Sequence, residues 1–379
     1  MKFGKICNLT SVHPRYDTRI FRKQCFAQKM HYETHLIVAD SQKSECKDDI
    51  YIHGVKGYKN RFLRMTLAIW NVYQKAKKVD ADIYIFHDPE LLFVGLLLKT
   101  KGKKVYFDAH ECYEEALLDS HWIPCFFRRF VVCVYNCIQR YVLPCLDGCL
   151  AATKYIEKAL KKYCNNTFLL PNYALLREFK AIKQPSIDVA HSVLLIGGIT
   201  RSHGIIKLIK ALELCDNDVR LILCGSFVDK ALKKQCIAMD GWNKVDYKKN
   251  VSRDQIRKLA KKCFCGIMIS QSSVLGLQTS CPNKMFEYIS MFLPIVVSNF
   301  KDWEQIVNND GNPFGLLVDF ALNPQEIAKA IDKLFNDKNL AKQLGENGRK
   351  AFEGKYNFEA YIDNYLKFLN SVNIINKEG

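Results

Sequence analysis

Apolar residues recur in two alternating patterns along the chain. Short runs of β-branched and aromatic residues predict strands, and longer segments with apolar residues at helical spacing predict helices. In the first half, strands are predicted at residues 5–9, 35–39, 82–86, 104–108 and 149–152, and helices at 17–31, 63–79, 90–98 and 155–163. Alternation of this kind produces a parallel sheet with helices on both faces.

The alternation pauses around residues 171–172, and residues 180–186 form a polar segment that predicts a linker. It then resumes, with strands predicted at 192–196, 220–224, 266–270 and 295–297 and helices at 205–214, 230–239, 253–262, 324–335, 340–352 and 358–369. We therefore expect an α/β chain with two Rossmann-like domains, at residues 1–178 and 179–356, that face across a cleft. Residues 357–379 are expected to cross back towards the first domain.

The segment 280–300 combines a predicted helix, with Pro282 in its first turn, and a buried strand. Lys284 and Glu287 are three residues apart and share a helix face near the N-terminus. Together with Asn283 and the N–H groups of the first turn, they could hold a phosphate and a sugar diol. The alternative is an ordinary surface ion pair on a packed helix.

Polar side chains follow the predicted strands, which is where ligands bind in doubly wound sheets. The loop after the first strand carries His13, Arg15 and Arg19. These residues indicate a surface that faces a phosphate or an acceptor. The alternative is that Asp17 caps the next helix, with the arginines solvated or paired with it.

Histidines follow two neighbouring strands of the first half. His87 comes after the strand DIYIF, and His110 comes shortly after KVYFD and is followed by Glu111. Both imidazoles should therefore lie at one end of the sheet beside carboxylates, an arrangement that favours orienting or activating a hydroxyl. A histidine next to an acid also arises by chance, so either residue alone indicates little.

A glycine-containing loop follows the first strand of the second half. It includes Gly197, Gly198, Arg201, His203 and Gly204. Glycines between a strand and a helix allow the backbone to approach a phosphate, and Arg201 can supply charge, although a tight turn would need the same residues. The uncharged loop at 271–280 is a further candidate for lining a substrate.

The chain is strongly basic. Its 379 residues contain 56 lysines and arginines against 39 acidic residues, a net charge of +17. That excess indicates an anionic partner. The basic residues are dispersed over several helices, and no RNA-binding or zinc-finger motif accompanies them, which argues against nucleic acid.

The 16 cysteines favour a reducing, cytoplasmic location, because many lie within apolar runs. The N-terminus lacks the apolar core of a signal peptide, and the apolar stretch at 125–150 is interrupted by charges. Residues 122–131 mix aromatic residues with arginines, as an interfacial helix does. They predict peripheral contact with the anionic inner face of the plasma membrane, and the alternative is a core helix with a basic edge.

Several segments, taken in order, resemble the bacterial glycosyltransferases of family 4, which have the GT-B fold. The resemblance covers nearly the whole chain, and its most specific parts are the HPRxDxRIF loop, the HDPEL turn and PNKxFEY. The other matching segments are YFDAHE, LLIGGITRSHGIIKLIKAL and the tail YNFEAYIDNYLKFL. Many members of this subgroup build capsule, O-antigen or exopolysaccharide.

This resemblance implies a retaining enzyme that usually needs no metal. The second domain would bind a nucleotide-activated sugar, and the first would bind the acceptor. By the same resemblance, Glu287 hydrogen-bonds the ribose hydroxyls and His110 faces the transferred sugar near the reacting centre. Gly204 begins the helix that lies beneath the diphosphate.

The chain departs from the family pattern at three positions. Thr279 stands where many relatives have a glutamate that contacts the donor sugar, and His203 stands where a lysine or arginine is usual. Gly198 occupies the place of an arginine found in many relatives. Arg201 and Lys284 are expected to supply instead the positive charge that stabilises the diphosphate.

We therefore expect a cytoplasmic, retaining hexosyltransferase that uses a nucleotide sugar, with UDP favoured over GDP, and a saccharide or lipid-linked saccharide acceptor. No cofactor and no metal are expected. Two alternatives remain open: a UDP-sugar 2-epimerase of the same architecture, and a non-catalytic subunit that binds a sugar nucleotide. The predicted site residues are His110, Arg201 and Lys284 for catalysis, Gly198, His203, Gly204, Thr279, Ser280, Asn283 and Glu287 for the donor, and His13, Arg15, Arg19, His87 and Glu111 for the acceptor.

Overall fold

The computed structural model describes residues 2–120, 123–184, 190–271, 278, 280–319, 321 and 323–371. The chain divides into two compact units. The first comprises Met1–Asn172 and the segment that begins at Tyr361, and the second comprises Tyr173–Ala360. The first unit is therefore built from two separate stretches of chain, whereas the second is continuous.

The first unit contains an eight-stranded sheet in the order β3-β4-β2-β1-β5-β6-β7-β8. Neighbouring strands are parallel except for β3 and β4, which are antiparallel. The chain order reverses at β1, which pairs with both β2 and β5. The strands are β1 (Lys5–Thr10), β2 (Glu33–Val38), β3 (Glu45–Lys47), β4 (Ile50–Gly54), β5 (Ile83–Phe86), β6 (Lys104–Ala109), β7 (Gly148–Ala151) and β8 (Thr167–Leu169).

Helices cover both faces of this sheet. A π-helix, Thr18–Cys25, leads into α1 (Phe26–Gln28), and a second π-helix, Arg64–Ala68, joins α2 to α3. The other helices of this unit are α2 (Arg61–Leu63), α3 (Ile69–Val79), α4 (Leu92–Lys99), α5 (Tyr113–Leu118), α6 (Cys125–Val142), α7 (Lys154–Leu160) and α16 (Ile362–Asn370). The last of them, α16, comes from the second stretch of chain.

Alternation along the strands decides which side chains meet which helix layer. Odd-numbered residues of β6, such as Val105 and Phe107, pack with α3, α4, α6 and α7 in one apolar core. Even-numbered residues point to the opposite face, where Phe368 of α16 packs against Tyr106 at 5.5 Å between ring centroids. Asp108 is also even-numbered, and it therefore lies on the same face as the π-helix and α16.

The second unit contains a six-stranded parallel sheet in the order β11-β10-β9-β12-β13-β14. The chain order again reverses at the first strand, because β9 pairs with both β10 and β12. The strands are β9 (Ser192–Ile196), β10 (Arg220–Cys224), β11 (Val245–Lys248), β12 (Cys263–Met268), β13 (Ile295–Ser298) and β14 (Gly315–Val318). Its helices are α8 (Leu176–Phe179), α9 (Ile205–Leu214), α10 (Lys230–Ile237), α11 (Arg253–Ala260), α12 (Asn283–Ser290), α13 (Lys301–Asn308), α14 (Pro324–Asn336) and α15 (Lys338–Gly354).

The predicted helix and strand at 280–300 are confirmed as α12 and β13. Pro282 lies one residue before α12, at its N-cap position. The helix ends at Ser290, and Phe292 adopts a left-handed conformation with φ of 60° before Pro294. The turn brings β13 directly beside β12 in the sheet.

Among the residues that the structure describes, no helix combines the length and the apolar character that crossing a bilayer requires. The longest helix of the first unit, α6, has only Gln139 and Val142 buried. Tyr135 and Ile138 also pack against the core from partly buried positions, so α6 contributes one side to the core and leaves the other exposed.

Candidate functional site

In the first unit, three polar side chains converge at the carboxyl ends of β5 and β6. His87 Nδ1 lies 3.0 Å from Asp108 Oδ2, and His110 Nε2 lies 3.0 Å from the same oxygen. His87 and Asp108 are buried, while the His110 side chain is 15% exposed. Only the outer member of this cluster can therefore meet a ligand.

Arg19 fixes the carboxylate at the centre of the cluster. Its Nε and Nη2 donate to the two oxygens of Asp108 at 2.9 and 2.6 Å, and its Nη1 donates to the Leu170 carbonyl at 2.8 Å. Burial alone would raise the pKa of Asp108. The charge of Arg19, with the two histidines, holds this pKa well below its usual range.

Burial favours the neutral form of His110 and lowers the pKa of its imidazole, against the attraction of Asp108. A neutral imidazole that donates Nε2–H to Asp108 carries an acceptor at Nδ1. No contact of that nitrogen is formed with the described residues, so it can accept a hydrogen bond from a hydroxyl of a ligand.

His13 completes the accessible side of the cluster. Its ring lies 4.6 Å from that of His110, centroid to centroid, and its Nε2 is 3.3 Å from Asp88 Oδ1. The backbone N–H and the hydroxyl of Ser11 both donate to Asp88 at 2.6 and 3.2 Å. The β1 loop is thereby fastened to the β5 loop. The predicted proximity of His87 and His110 is seen in the structure, and His13 lies beside them, which the sequence did not predict.

The ligand atoms of His87, Asp108 and His110 lie within 4.8 Å of one another, a spacing at which three side chains could surround a metal ion. The guanidinium of Arg19 occupies both oxygens of the carboxylate, and Gln24 Nε2 also donates to Oδ2 at 2.6 Å. His87 Nε2 is engaged by Asn8 Oδ1 at 3.2 Å. A divalent cation would meet a fixed positive charge here, and the residues do not fit one.

A buried polar network under the histidines was missed by sequence reasoning. Gln24 contacts Asp108 and accepts from the Tyr365 hydroxyl of α16 at 3.1 Å. Gln28 donates to the same hydroxyl at 2.6 Å and accepts from Asn8 Nδ2 at 2.6 Å. Two features of the sequence could have indicated this network. Each of the apolar strands β1 and β6 contains a polar residue, and two glutamines lie one helical turn apart.

The two arginines of the first loop have different environments. Asp17 caps the π-helix by accepting from the N–H groups of Arg19 and Ile20, which confirms the predicted cap, whereas the expectation that the arginines are solvated or paired with Asp17 is wrong. Neither arginine pairs with Asp17. Arg15 instead makes a two-point ion pair with Asp40 at 2.8 and 3.1 Å and also donates to the Lys43 carbonyl.

Arg15 is thus held away from the histidine cluster, and Arg19 lies beneath it. Arg15 is 6% exposed and Arg19 is 4% exposed, so neither presents its guanidinium to solvent. Glu111 is exposed directly after His110. Of the five predicted acceptor residues, His13 and Glu111 are therefore the accessible ones.

In the second unit, the glycine loop follows β9 and turns into α9. Gly197 and Gly204 have positive φ angles of 109° and 65°. A Cβ added at Gly197 or Gly198 would meet no atom within 4 Å, so the backbone of this loop borders open space. Such a loop leaves room for a ligand to approach the main chain.

Two basic side chains flank that space. Lys284 is in the first turn of α12 and is partly buried, and burial lowers its pKa to about 8. Burial and then the charge of Lys284 lower the pKa of His203, whose Nδ1 lies 2.9 Å from the Gly198 carbonyl oxygen. Within the described part of the chain, Lys284 makes no ion pair or hydrogen bond. The positive end of α12 and this ammonium therefore favour an anion at the glycine loop.

The remaining predicted donor residues are more dispersed. Arg201 is exposed, and its Nη2 donates to Gln235 Oε1 of α10 at 2.9 Å. The Ser280 carbonyl accepts from Trp303 Nε1 at 2.9 Å, and Asn283 is the first residue of α12. Thr279 lies outside the described residues.

Glu287 belongs to an ion-pair network that the sequence did not predict. Arg253 Nη1 lies 3.2 Å from Glu287 Oε1 and 3.1 Å from Glu178 Oε2. The Glu287 side chain is 14% exposed. Its partner is therefore Arg253 on α11, and the predicted surface pair with Lys284 is absent from the described contacts.

Tyr288 couples α12 to the ends of two strands. Its hydroxyl accepts from the Ile196 N–H at 2.9 Å and donates to the Ile267 carbonyl at 3.2 Å. The ring fits only because residue 266 is glycine, since a Cβ there would lie 2.5 Å from the ring. Lys284, on the same helix, is thereby held in a fixed position relative to the glycine loop.

Comparison with known proteins identifies the class to which these features correspond. Residues 178–351 match the family model described as glycosyl transferases group 1. These residues include the glycine loop, Lys284 and Glu287. The match supports a glycosyltransferase family for this chain.

Individual relatives agree with that class. An uncharacterised glycosyltransferase of Methanocaldococcus jannaschii is 25% identical over 335 residues, which cover 87% of each chain. The structure resembles sucrose-phosphate synthase from Thermosynechococcus elongatus, with a TM-score of 0.76, 15% identity and coverage of 97% and 98% of the two chains.

Two further solved structures are similar. A glycosyltransferase from Rickettsia africae has a TM-score of 0.72 and 16% identity, with coverage of 98% of this chain and 99% of that one. Alr3699/HepE of Anabaena, in complex with UDP and glucose, has a TM-score of 0.71 and 14% identity, with coverage of 97% and 100%. The predicted α/β, GT-B fold is confirmed by these neighbours.

Proposed function

We propose that this protein transfers a sugar from a nucleotide-sugar donor to a saccharide acceptor with retention of configuration. The observation that carries the proposal is Lys284, a partly buried ammonium at the N-terminus of α12 beside the open backbone of Gly197 and Gly198. A site of this kind stabilises a diphosphate. It would act most strongly as the sugar–phosphate bond breaks and negative charge grows on the leaving group.

The remaining donor contacts follow from this placement. His203 lies beside Lys284, and its Nδ1–H donates to the Gly198 carbonyl. Its Nε2 would donate to the diphosphate only in the protonated ring, a form that a bound anion favours. Glu287, oriented by Arg253, would accept the ribose hydroxyls, as the resemblance to family 4 implies. We favour a UDP-sugar over a GDP-sugar, and the similar Anabaena protein, solved with UDP and with UDP-glucose, supports this choice.

The first unit would hold the acceptor and orient the transferred sugar. His110 presents a neutral ring with an acceptor nitrogen, and His13 and Glu111 lie beside it. We propose that the departing phosphate takes the acceptor's proton, so that no protein base and no metal ion is required. The pairing of Asp108 with Arg19 supports the absence of a metal from this cluster.

The acceptor is proposed to be lipid-linked, and the process to be the synthesis of a surface polysaccharide such as capsule or O-antigen, in line with the resemblance to family 4. A cytoplasmic location is supported by the cysteines, all 16 of which are free thiols.

The test is a panel of nucleotide sugars, scored for binding and for slow hydrolysis in the absence of acceptor. We expect one UDP-sugar to bind and to be hydrolysed slowly to UDP and free sugar. The variants Lys284→Met and Glu287→Ala should lose binding, whereas Lys342→Met, an exposed lysine on α15, should retain it.

Two results would contradict the proposal. Unchanged turnover in both Lys284→Met and Glu287→Ala would remove the proposed donor site. Conversion of the UDP-sugar to an epimer without acceptor would instead establish an epimerase.

A further inference from the structure

The outward sides of α2–α3, α4 and α6 are apolar, although they face solvent. These helices share one core and cover the same face of the first sheet. Their exposed side chains include Phe62 at 74% and Phe126 at 76%. Singly exposed apolar residues are ordinary, but a cluster of large ones on adjacent helices marks an interaction surface.

The solvent-facing stripe of α6 shows the pattern most clearly. Phe126, Phe130, Cys133, Cys137 and Tyr141 are exposed and recur every three or four residues. This is the spacing at which a surface helix normally carries polar residues. The helix therefore presents an apolar stripe outward, and its buried side is limited to a few contacts.

The neighbouring helices extend this surface. Phe62, Met65 and Trp70 are exposed along α2–α3, and Phe93 and Leu97 are exposed on α4. Helix α4 packs directly against α6. An ion pair of 3.3 Å between Arg64 and Glu90 joins the α2–α3 segment to the turn that precedes α4.

The segments of chain that contain these helices carry only positively charged side chains. Residues 50–79, 91–107 and 120–146 contain seven, four and three lysines and arginines, respectively, and no aspartate or glutamate. Arg129 and Arg140 are exposed on α6, and neither forms a salt bridge within the described part of the chain. Three of these basic residues are paired with acids outside the segments, namely Arg64 with Glu90, Lys99 with Asp147 and Lys103 with Asp80, so the segments keep an excess of positive charge.

We propose that this surface docks on a lipid bilayer that contains anionic lipids. We call it the basic apolar face and define it by Phe62, Trp70, Phe93, Phe126, Phe130 and Tyr141, together with Arg129 and Arg140. Its aromatic side chains would enter the interface, and its basic residues would contact anionic headgroups. A second copy of the chain fits less well, because the same face on both copies would bring positive charges together.

This inference does not depend on the proposed donor site, because it concerns only side chains of the first unit that lie outside the histidine cluster. Vesicle binding can therefore be measured without catalysis. Loss of transfer activity and loss of membrane binding are separate results.

The first experiment is flotation of the full-length protein with phosphatidylcholine vesicles, with and without phosphatidylglycerol. We expect binding to the anionic vesicles and its weakening by salt. The variants Phe126→Ser with Phe130→Ser, and Arg129→Glu with Arg140→Glu, should each reduce binding by about tenfold or more. All four positions are exposed, so the fold should be unaffected.

Matched controls lie in the second unit. Val228 is 77% exposed, and Val228→Ser removes an exposed apolar residue elsewhere. Lys342→Glu with Lys350→Glu reverses two exposed charges on α15. Both controls should bind vesicles like the unchanged protein.

The second experiment uses thiols that the chain already contains. Cys133 and Cys137 lie on the exposed stripe of α6, between Phe130 and Tyr141 of the basic apolar face, whereas Cys46 is exposed on β3. Anionic vesicles should slow the alkylation of Cys133 and Cys137 and leave Cys46 unchanged. Mass spectrometry of the labelled peptides gives each rate separately.

Three results would overturn the proposal. They are an absence of binding to anionic vesicles, equal loss of binding in the controls, and equal protection of all three cysteines. Self-association that Phe126→Ser with Phe130→Ser abolishes, without vesicle binding, would assign the face to a second copy instead.

Discussion

Lys284 is the residue on which donor binding is expected to depend most directly. Its pKa is lowered to about 8, so the folded protein binds this proton less tightly than the unfolded chain does. The free energy of unfolding should therefore rise between about pH 8 and pH 10.5 as the unfavourable charge is removed. An anion at the glycine loop would raise the pKa again, so binding should take up a proton.

The first prediction concerns the pH dependence of UDP binding. Affinity should fall above about pH 8, by up to about tenfold per pH unit, because Lys284 must be protonated. In Lys284→Arg the affinity should stay flat over the same range, since arginine does not lose its proton. Titration calorimetry at pH 7 to 9.5 in two buffers measures both affinity and proton uptake.

The second prediction is that Lys284→Met separates stability from function. The variant should lose UDP binding, yet its free energy of unfolding at pH 7 should rise by about 1–3 kcal/mol because a buried charge is removed. Urea denaturation followed by circular dichroism measures the stability. A variant that is destabilised and still binds UDP would contradict the assignment.

The third prediction concerns Arg19. Its replacement in Arg19→Met leaves Asp108 buried beside the histidines without its cation, and should lower the free energy of unfolding at pH 7.5 by about 3–5 kcal/mol. Arg19 depresses the pKa of Asp108, so its contribution is present above the ordinary aspartate pKa and is lost as pH falls.

The difference between the unchanged protein and Arg19→Met should therefore shrink as the pH is lowered towards 4.5, where the variant can protonate Asp108. Urea midpoints across this range measure the effect. Arg220→Met, at an exposed arginine of β10, is the control and should stay within about 0.5 kcal/mol at every pH. A constant difference across the range would show that Arg19 acts through packing alone.

At the residue scale, sequence reasoning found the histidines but not what holds them. His87 and His110 are predictable because both follow strands, and parallel strands end at one edge of a sheet. Arg19, Asp108 and Tyr365 are separated by up to 346 positions in the chain, and their contacts depend on tertiary packing. No local pattern could have paired them, nor could one have paired Glu287 with Arg253.

At the element scale, hydrophobic periodicity predicted the order of strands and helices along most of the chain. It failed where local composition was unusual. The strand β12 was placed at 266–270 but occupies Cys263–Met268, because cysteine and glycine give little strand signal. Five short strands were missed, namely β3, β4, β8, β11 and β14. Of these, β3 is wholly exposed and therefore lacks an apolar pattern.

The fourth prediction contrasts two phenylalanines on different helices. Phe368 of α16 is buried and packs on Tyr106 and on Phe168, at 5.5 and 5.3 Å between centroids. Phe368→Ala should lower the free energy of unfolding by about 3–5 kcal/mol. Phe126→Ala, on the exposed stripe of α6, should change it by less than about 0.5 kcal/mol. Urea denaturation of both variants measures the contrast, and equal effects would show that one of the two environments is wrongly assigned.

At the scale of the whole molecule, all 16 cysteines are free thiols, and they differ in their exposure to solvent. The fifth prediction is that five thiols react rapidly with a thiol reagent in the folded protein and that all 16 react in denaturant without added reductant. The five are Cys46, Cys125, Cys133, Cys137 and Cys145. Fewer than 16 in denaturant would reveal a disulfide, and mapping of the rapid sites tests their exposure.

The division of the chain into a continuous unit and an interrupted one has a consequence for biosynthesis. Tyr365 and Phe368 supply a hydroxyl and a ring that the first sheet needs, and they are made after the whole of the second unit. The first sheet therefore stays without its last helix until translation is almost finished, whereas the second unit needs no residue beyond Ala360. We expect a chain truncated after residue 360 to fold its second unit and to leave the first exposed where α16 would pack.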